Sequence, residues 1–81
     1  MSRATLQNVN DELTIVINKS ANLSIEITSG ACVLERQTKT GVWREIEAYS
    51  ASTEDIIYSG AHGTLFRVRQ TVVGSIDVEI W

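Results

Sequence analysis

The stretch that decides the fold is Thr64–Trp81, "TLFRVRQTVVGSIDVEIW". Phe66, Val68 and Val72 fall on one face of its first half, and Ile76, Val78 and Ile80 on one face of its second. A period of two is the mark of a half-buried strand. Val73-Gly74-Ser75 separates the two runs, so they read as a terminal hairpin. A two-residue loop would set Val72 against Ser75 and Val68 against Glu79, burying charge. A three-residue loop opposes Val72 to Ile76, Val68 to Ile80, Arg69 to Glu79 and Thr71 to Asp77. A slip of one residue turns every side chain over, so the pattern predicts the odd-length loop. The same register puts Arg67 across from Trp81, where a guanidinium over an indole contributes about 0.5–1 kcal/mol at an exposed site.

Working outward, the same period recurs. "ELTIVIN" places Leu13, Ile15 and Ile17 on one face, and "NLSIEIT" does so with Leu23, Ile25 and Ile27. "ACVLERQ" and "VWREIEAY" flank the turn-rich "TKTG". "EDIIYS" is a short apolar run, and the glycine-containing "SGAHG" after it reads as a loop. In "AYSASTEDI", Ser52 or Thr53 could cap one helical turn over Glu54 and Asp55; no longer helical period is visible. The expected fold is all-β, a small antiparallel β-sandwich or barrel of six to seven short strands. Residues 1–81 form a single domain, with 1–10 a candidate extended N-terminal arm.

A chain of 81 residues buries only about 60–65% of its unfolded surface. Small domains supplement so thin a core with disulfides, metals or partners. One cysteine, Cys32, allows no internal disulfide, and one histidine, His62, makes no Cys/His zinc cluster. Self-association is the remaining supplement. Open sheet edges argue the same way, because no proline is present to blunt them.

The net charge is -3 and the seven lysines and arginines are scattered, which disfavours nucleic acid. Polar residues interrupt every apolar run, so no membrane span is expected. The N-terminal segment has no apolar core of a secretory signal. The sequons at Asn18 and Asn22 then read as chance matches in a turn.

No cofactor, metal or catalytic site is expected. His62 reads as a solvated loop residue. Cys32 is in phase with Leu34 and reads as a small buried hydrophobe. Asp11-Glu12 and Glu54-Asp55 lack the loop and ligand number calcium needs, and read as solvated turn charges. The aromatic residues Trp43, Tyr49, Tyr58 and Trp81 are the most informative. Trp43 is ambiguous: Val42 and Ile46 define the inward phase of its strand, which turns Trp43 outward, to an interface or a sugar site, unless it packs in the core. Trp43, Arg67, Arg69, Glu79 and Trp81 are the interface candidates.

"VLERQTKTGVWREI" followed by "TLFRVRQTVVGSIDVEIW" resembles the small β-sandwich modules of tailed-bacteriophage virion proteins. The resemblance runs from Ala31 to Trp81. Its elements are Val33 and Leu34, a turn ending at Gly41 before Trp43, Ile46, the aromatic-arginine pair Phe66-Arg67, Gly74, and the alternating Ile76, Val78 and Ile80. It implies a scaffold without catalytic residues, in a virion component such as a head-decoration or head–tail accessory protein. Such modules commonly act as oligomers, so the expected partners are further copies of the chain, as a trimer first, and other virion proteins such as the major capsid protein. The expected location is the virion, after synthesis in the host cytoplasm. An initiating methionine and a short chain suit a stand-alone decoration protein. The alternative from a different class is a binding module for carbohydrate or another cell-surface ligand.

Overall fold

A computed structural model describes residues 1–81, apart from the side chains of residues 60–62. The expectation for His62 therefore lies outside the described residues. Six strands form one antiparallel sheet: β1 (Ser2–Leu6), β2 (Glu12–Ile27), β3 (Ala31–Gln37), β4 (Trp43–Tyr49), β5 (Thr53–Val72) and β6 (Ile76–Ile80). The order across the sheet is β1-β6-β2-β5-β3-β4. The fold is all-β, as the alternation predicts, and no described helix is long and apolar enough to cross a membrane.

Two long strands fold this sheet into two layers. Glu12–Ile17 of β2 pairs with the second half of β5, and Lys19–Ile25 with its first half. The ladder is interrupted around Lys19, which adopts a left-handed φ of 67°. Such an irregularity bends a strand and raises its twist. The first layer holds β1, β6, the second half of β2 and the first half of β5. The second holds the first half of β2, the second half of β5, β3 and β4. Leu6, Leu23, Ile25, Ile57, Ile76, Val78 and Ile80 from the first layer meet Ile17, Cys32, Leu34, Tyr49, Phe66 and Val68 from the second in one buried cluster. Cys32 and Leu34 are buried together, as their shared phase requires.

The terminal hairpin does not form. β6 pairs with β1 and β2, not with β5. The second half of β5 already has β2 on one side and β3 on the other, so it offers no free edge. Residues 73–75 instead carry the chain across to the other layer. This turn packs on the β2–β3 turn: Thr28 N donates to Ser75 O at 3.0 Å, and Ser75 N to Ser29 Oγ at 3.2 Å. The approach requires glycine, since a Cβ on Gly74 would lie 2.2 Å from Ser29 O. Gln70, fully buried, ties the crossing by donating to Val72 O at 2.9 Å and Gly74 O at 3.2 Å. Arg69 therefore does not face Glu79, and Arg67 does not face Trp81.

Other differences are local. Ser2–Leu6, in the segment expected as an arm, is edge strand β1. β5 begins at Thr53, where a helical turn was an alternative, and runs through the segment read as a loop. Val42 and Ile46 are half exposed rather than inward, because β4 is an edge strand with a register shift opposite Leu34/Glu35. The "TKTG" turn is present: Gly41, with φ of 88°, closes it by donating to Thr38 O at 3.0 Å.

Candidate interaction surface

Residues two apart on a strand share a face, so cross-strand register assembles the outer surface of the second layer. Arg67 of β5 lies opposite Glu35 of β3, and Arg69 opposite Glu12 of β2. Arg67 Nε donates to Glu35 Oε1 at 2.8 Å, and its Nη1 to Glu12 Oε2 at 3.3 Å. Arg69 Nε reaches the same Glu35 oxygen at 2.9 Å, and its Nη1 donates to Asn10 Oδ1 at 3.2 Å. The Arg67 guanidinium carbon sits 4.2 Å from the centroid of the Trp43 ring. One glutamate thus anchors two arginines, and one of these carries a tryptophan.

Electrostatics follow from this packing. Burial pushes the Glu35 carboxyl up, but hydrogen bonds from Arg69 and Arg67, with both positive charges, outweigh it and hold the group below the ordinary carboxylate value. Arg69 is held above its ordinary value by the hydrogen bond to Glu35, against burial, with the charges of Glu35, Glu12 and Glu45 adding to it. An ionised glutamate clamped between two cations is a poor proton carrier. The group stiffens the surface and presents Trp43 as a half-buried aromatic plate.

A second surface is the open side, where edge strand β4 meets the first half of β5. Each has a paired neighbour on one flank only. Tyr49 Oη bridges the two layers here by donating to Asp55 Oδ2 at 3.2 Å. Burial, with the Asp55 charge behind it, pushes the Tyr49 hydroxyl far up. A groove of about 200 Å³ runs beside this contact, lined by Leu34, Arg36, Ile46, Ile57, Tyr58 and Phe66 among others. Ile46 is 48% exposed, Ile56 50% and Tyr58 72%, so the rim is apolar.

Of the interface candidates, Trp43, Arg67 and Arg69 come together. Glu79 lies on the outer face of the first layer, where Arg3 Nη2 meets its Oε1 at 3.1 Å. Trp81 is on that layer too, half exposed, its backbone paired both ways with Asn22 at 2.7 and 3.1 Å. Sequence reading missed Glu35 and Glu12. The outward phase of Glu35 in "ACVLERQ" was a signal, but only the register shows that two arginines face it.

The remaining polar candidates hold structure. Asp11 accepts from Gln7 N at 3.1 Å and Asn8 N at 3.0 Å, closing the β1–β2 turn, and these bonds lower its carboxyl pKa. Burial raises the Cys32 thiol to about 11, which keeps it protonated near neutrality. Among the described residues no three metal-ligating side chains cluster. No protein-family model matches the chain, and no curated protein matches it.

Proposed function

We propose that this chain is a structural component of a tailed-bacteriophage particle, a capsid decoration or head–tail accessory protein that acts through protein–protein contacts. It works as a homo-oligomer, with a trimer as the first expectation, against other virion proteins such as the major capsid protein. The observation that carries the oligomer is the open side of the sandwich. Edge strand β4 and the open flank of the first half of β5 border a groove rimmed by Ile46, Ile56 and Tyr58. Edges of this kind template pairing with another chain. The assignment to a virion rests on the resemblance of Ala31–Trp81 to phage β-sandwich modules, which the alternating Ile76, Val78 and Ile80 of β6 and the Phe66-Arg67 step of β5 support. The protein is not an enzyme in this reading, since Glu35, Arg67 and Arg69 bond one another rather than leaving a base free.

The carbohydrate-binding alternative asks for a free aromatic platform. One face of Trp43 is occupied by Arg67, and Trp81 lies on the other layer. The two readings separate in a paired experiment, light scattering of the purified protein beside a glycan array. A concentration-independent oligomer with no glycan signal supports the virion component. A monomer that retains sugars supports the alternative.

A further inference from the structure

Three cross-strand pairs in this chain set like charges directly opposite each other; in one, Glu35 opposite Glu45, the Glu35 carboxylate is held by Arg67 and Arg69, which leaves two. Arg36 of β3 faces Arg44 of β4, next to the turn that carries Lys39. Glu26 of β2 faces Asp77 of β6 on the outer face of the first layer. Like charges at directly opposed positions destabilise a sheet. Neither pair has a direct ion-pair partner among the described residues, although Glu47 and Asp55 line the groove beside Arg36 and Arg3 lines the one beside Glu26 and Asp77. Arg36, Arg44 and Lys39 form no ion pair among the described residues, where Arg3, Arg67 and Arg69 hold all of them. Near the acidic pair, Arg3 meets Glu79, and among the described residues Asp77 accepts a side-chain hydrogen bond from Thr5 Oγ1, at 2.7 Å. The acidic pair lies in a groove of about 500 Å³ with Thr5, Arg3 and Glu79 on its walls. All four members of the two pairs are exposed.

We infer that these pairs are the two halves of one contact: the Arg36/Arg44 pair of one copy docks in the groove over Glu26 and Asp77 of the next. This rests on the oligomer proposed above and names its interface. Two guanidiniums bind two carboxylates by paired N–H···O bonds, which fix orientation as well as register. The patches differ, so the contact is heterologous: each copy gives its hairpin and receives its neighbour's. Heterologous contacts close into rings where the rotation allows, and a trimer is such a ring. Ile46, half exposed beside Arg44, adds apolar area to the docking edge.

Single charge reversals test this with opposite signs on folding and assembly. Arg44→Glu gives Arg36 an internal partner, and Glu26→Lys gives one to Asp77. Each relieves a repulsion, so thermal stability holds or rises, while the dissociation constant of the oligomer rises by about tenfold or more. The wild-type oligomer weakens as salt is raised from about 0.05 M to about 0.5 M, because exposed charges are screened. Sedimentation velocity across a concentration series reads all of this, with circular dichroism confirming the fold. An oligomer indifferent to salt and to both substitutions overturns this interface and leaves the oligomer standing. Sensitivity to Arg44→Glu but not to Glu26→Lys also overturns it, by showing that the basic pair meets some other anion. A wild-type monomer throughout overturns the interface and the oligomer together.

Discussion

Arg67 lies across the sheet from Glu35 and donates its Nε to Glu35 Oε1 at 2.8 Å, with the Trp43 ring 4.2 Å from its guanidinium carbon. Three strands, β3, β4 and β5, are therefore tied by one side-chain cluster on their outer face. Their backbone ladder alone would not fix Trp43, which sits on an edge strand.

Replacing Glu35→Gln keeps the shape and removes the charge. It should cost about 1.5–3 kcal/mol, the worth of a hydrogen bond to a charged group, in urea unfolding at neutral pH. The pH dependence has a definite sign. The Glu35 pKa is lowered in the folded state, so its contribution is complete above the unfolded value and is lost as pH falls through the folded one. Wild-type stability should fall on acidification below the ordinary carboxylate range, and the Gln variant should lose that part of the decline. Parallel stability curves would contradict a stabilising role for the glutamate.

Cys32 should be silent to thiol reagents. It is 1% exposed, and burial raises its thiol to about 11. The thiolate is the reactive form. A chromogenic disulfide reagent at mildly alkaline pH should label it only at the rate of unfolding, and at once in urea. Rapid labelling of the native protein would show that the β3 core opens locally.

Two glycines should respond differently to alanine. At Gly74 the added carbon would meet Ser29 O at 2.2 Å and Gly30 N at 2.6 Å, both backbone atoms. At Gly41 the added carbon would meet only the Gln37 Nε2 at an ordinary 3.9 Å, so the constraint there is the left-handed φ of 88°. Gly74→Ala should cost about 3 kcal/mol or more, as other severe backbone clashes do. Gly41→Ala should cost about 1–2 kcal/mol, the penalty of a left-handed non-glycine residue. Equal losses in thermal unfolding would show that the turn-on-turn contact is not what demands glycine at Gly74.

These sites also mark what was legible in the sequence. Alternation names the buried face of β6, of the second half of β2 and of part of β5: Ile76, Val78 and Ile80, Leu23 and Ile25, Phe66 and Val68 are all core residues. It does not name the neighbour. β5 and β6 have matched patterns and a short connection, yet Gly74 sends the chain between layers because both flanks of β5 are filled by β2 and β3. Arg67 and Arg69 were recognisable as outward residues, while for Trp43 the sequence left core and surface both open. Their common anchor, Glu35, was not, because its contacts depend on the β3–β5 register. Val42 and Ile46 misled for a related reason: an edge strand with a register shift does not keep the alternation of a central one.

Trp81 separates folding from assembly. Its backbone pairs with Asn22 whatever the side chain, while the indole is half exposed. Trp81→Ala should change unfolding little and, if the indole meets a neighbour, weaken assembly by about 2 kcal/mol, as tryptophan hot spots do. Loss of stability without change in mass would place the indole in the monomer alone.

The most direct test of the oligomer is native mass spectrometry of the wild-type chain from low to high micromolar concentration. The expected result is a closed homo-oligomer, first of all at three times the 9.0 kDa chain mass, present across the range. A single 9.0 kDa species at high micromolar concentration would contradict it.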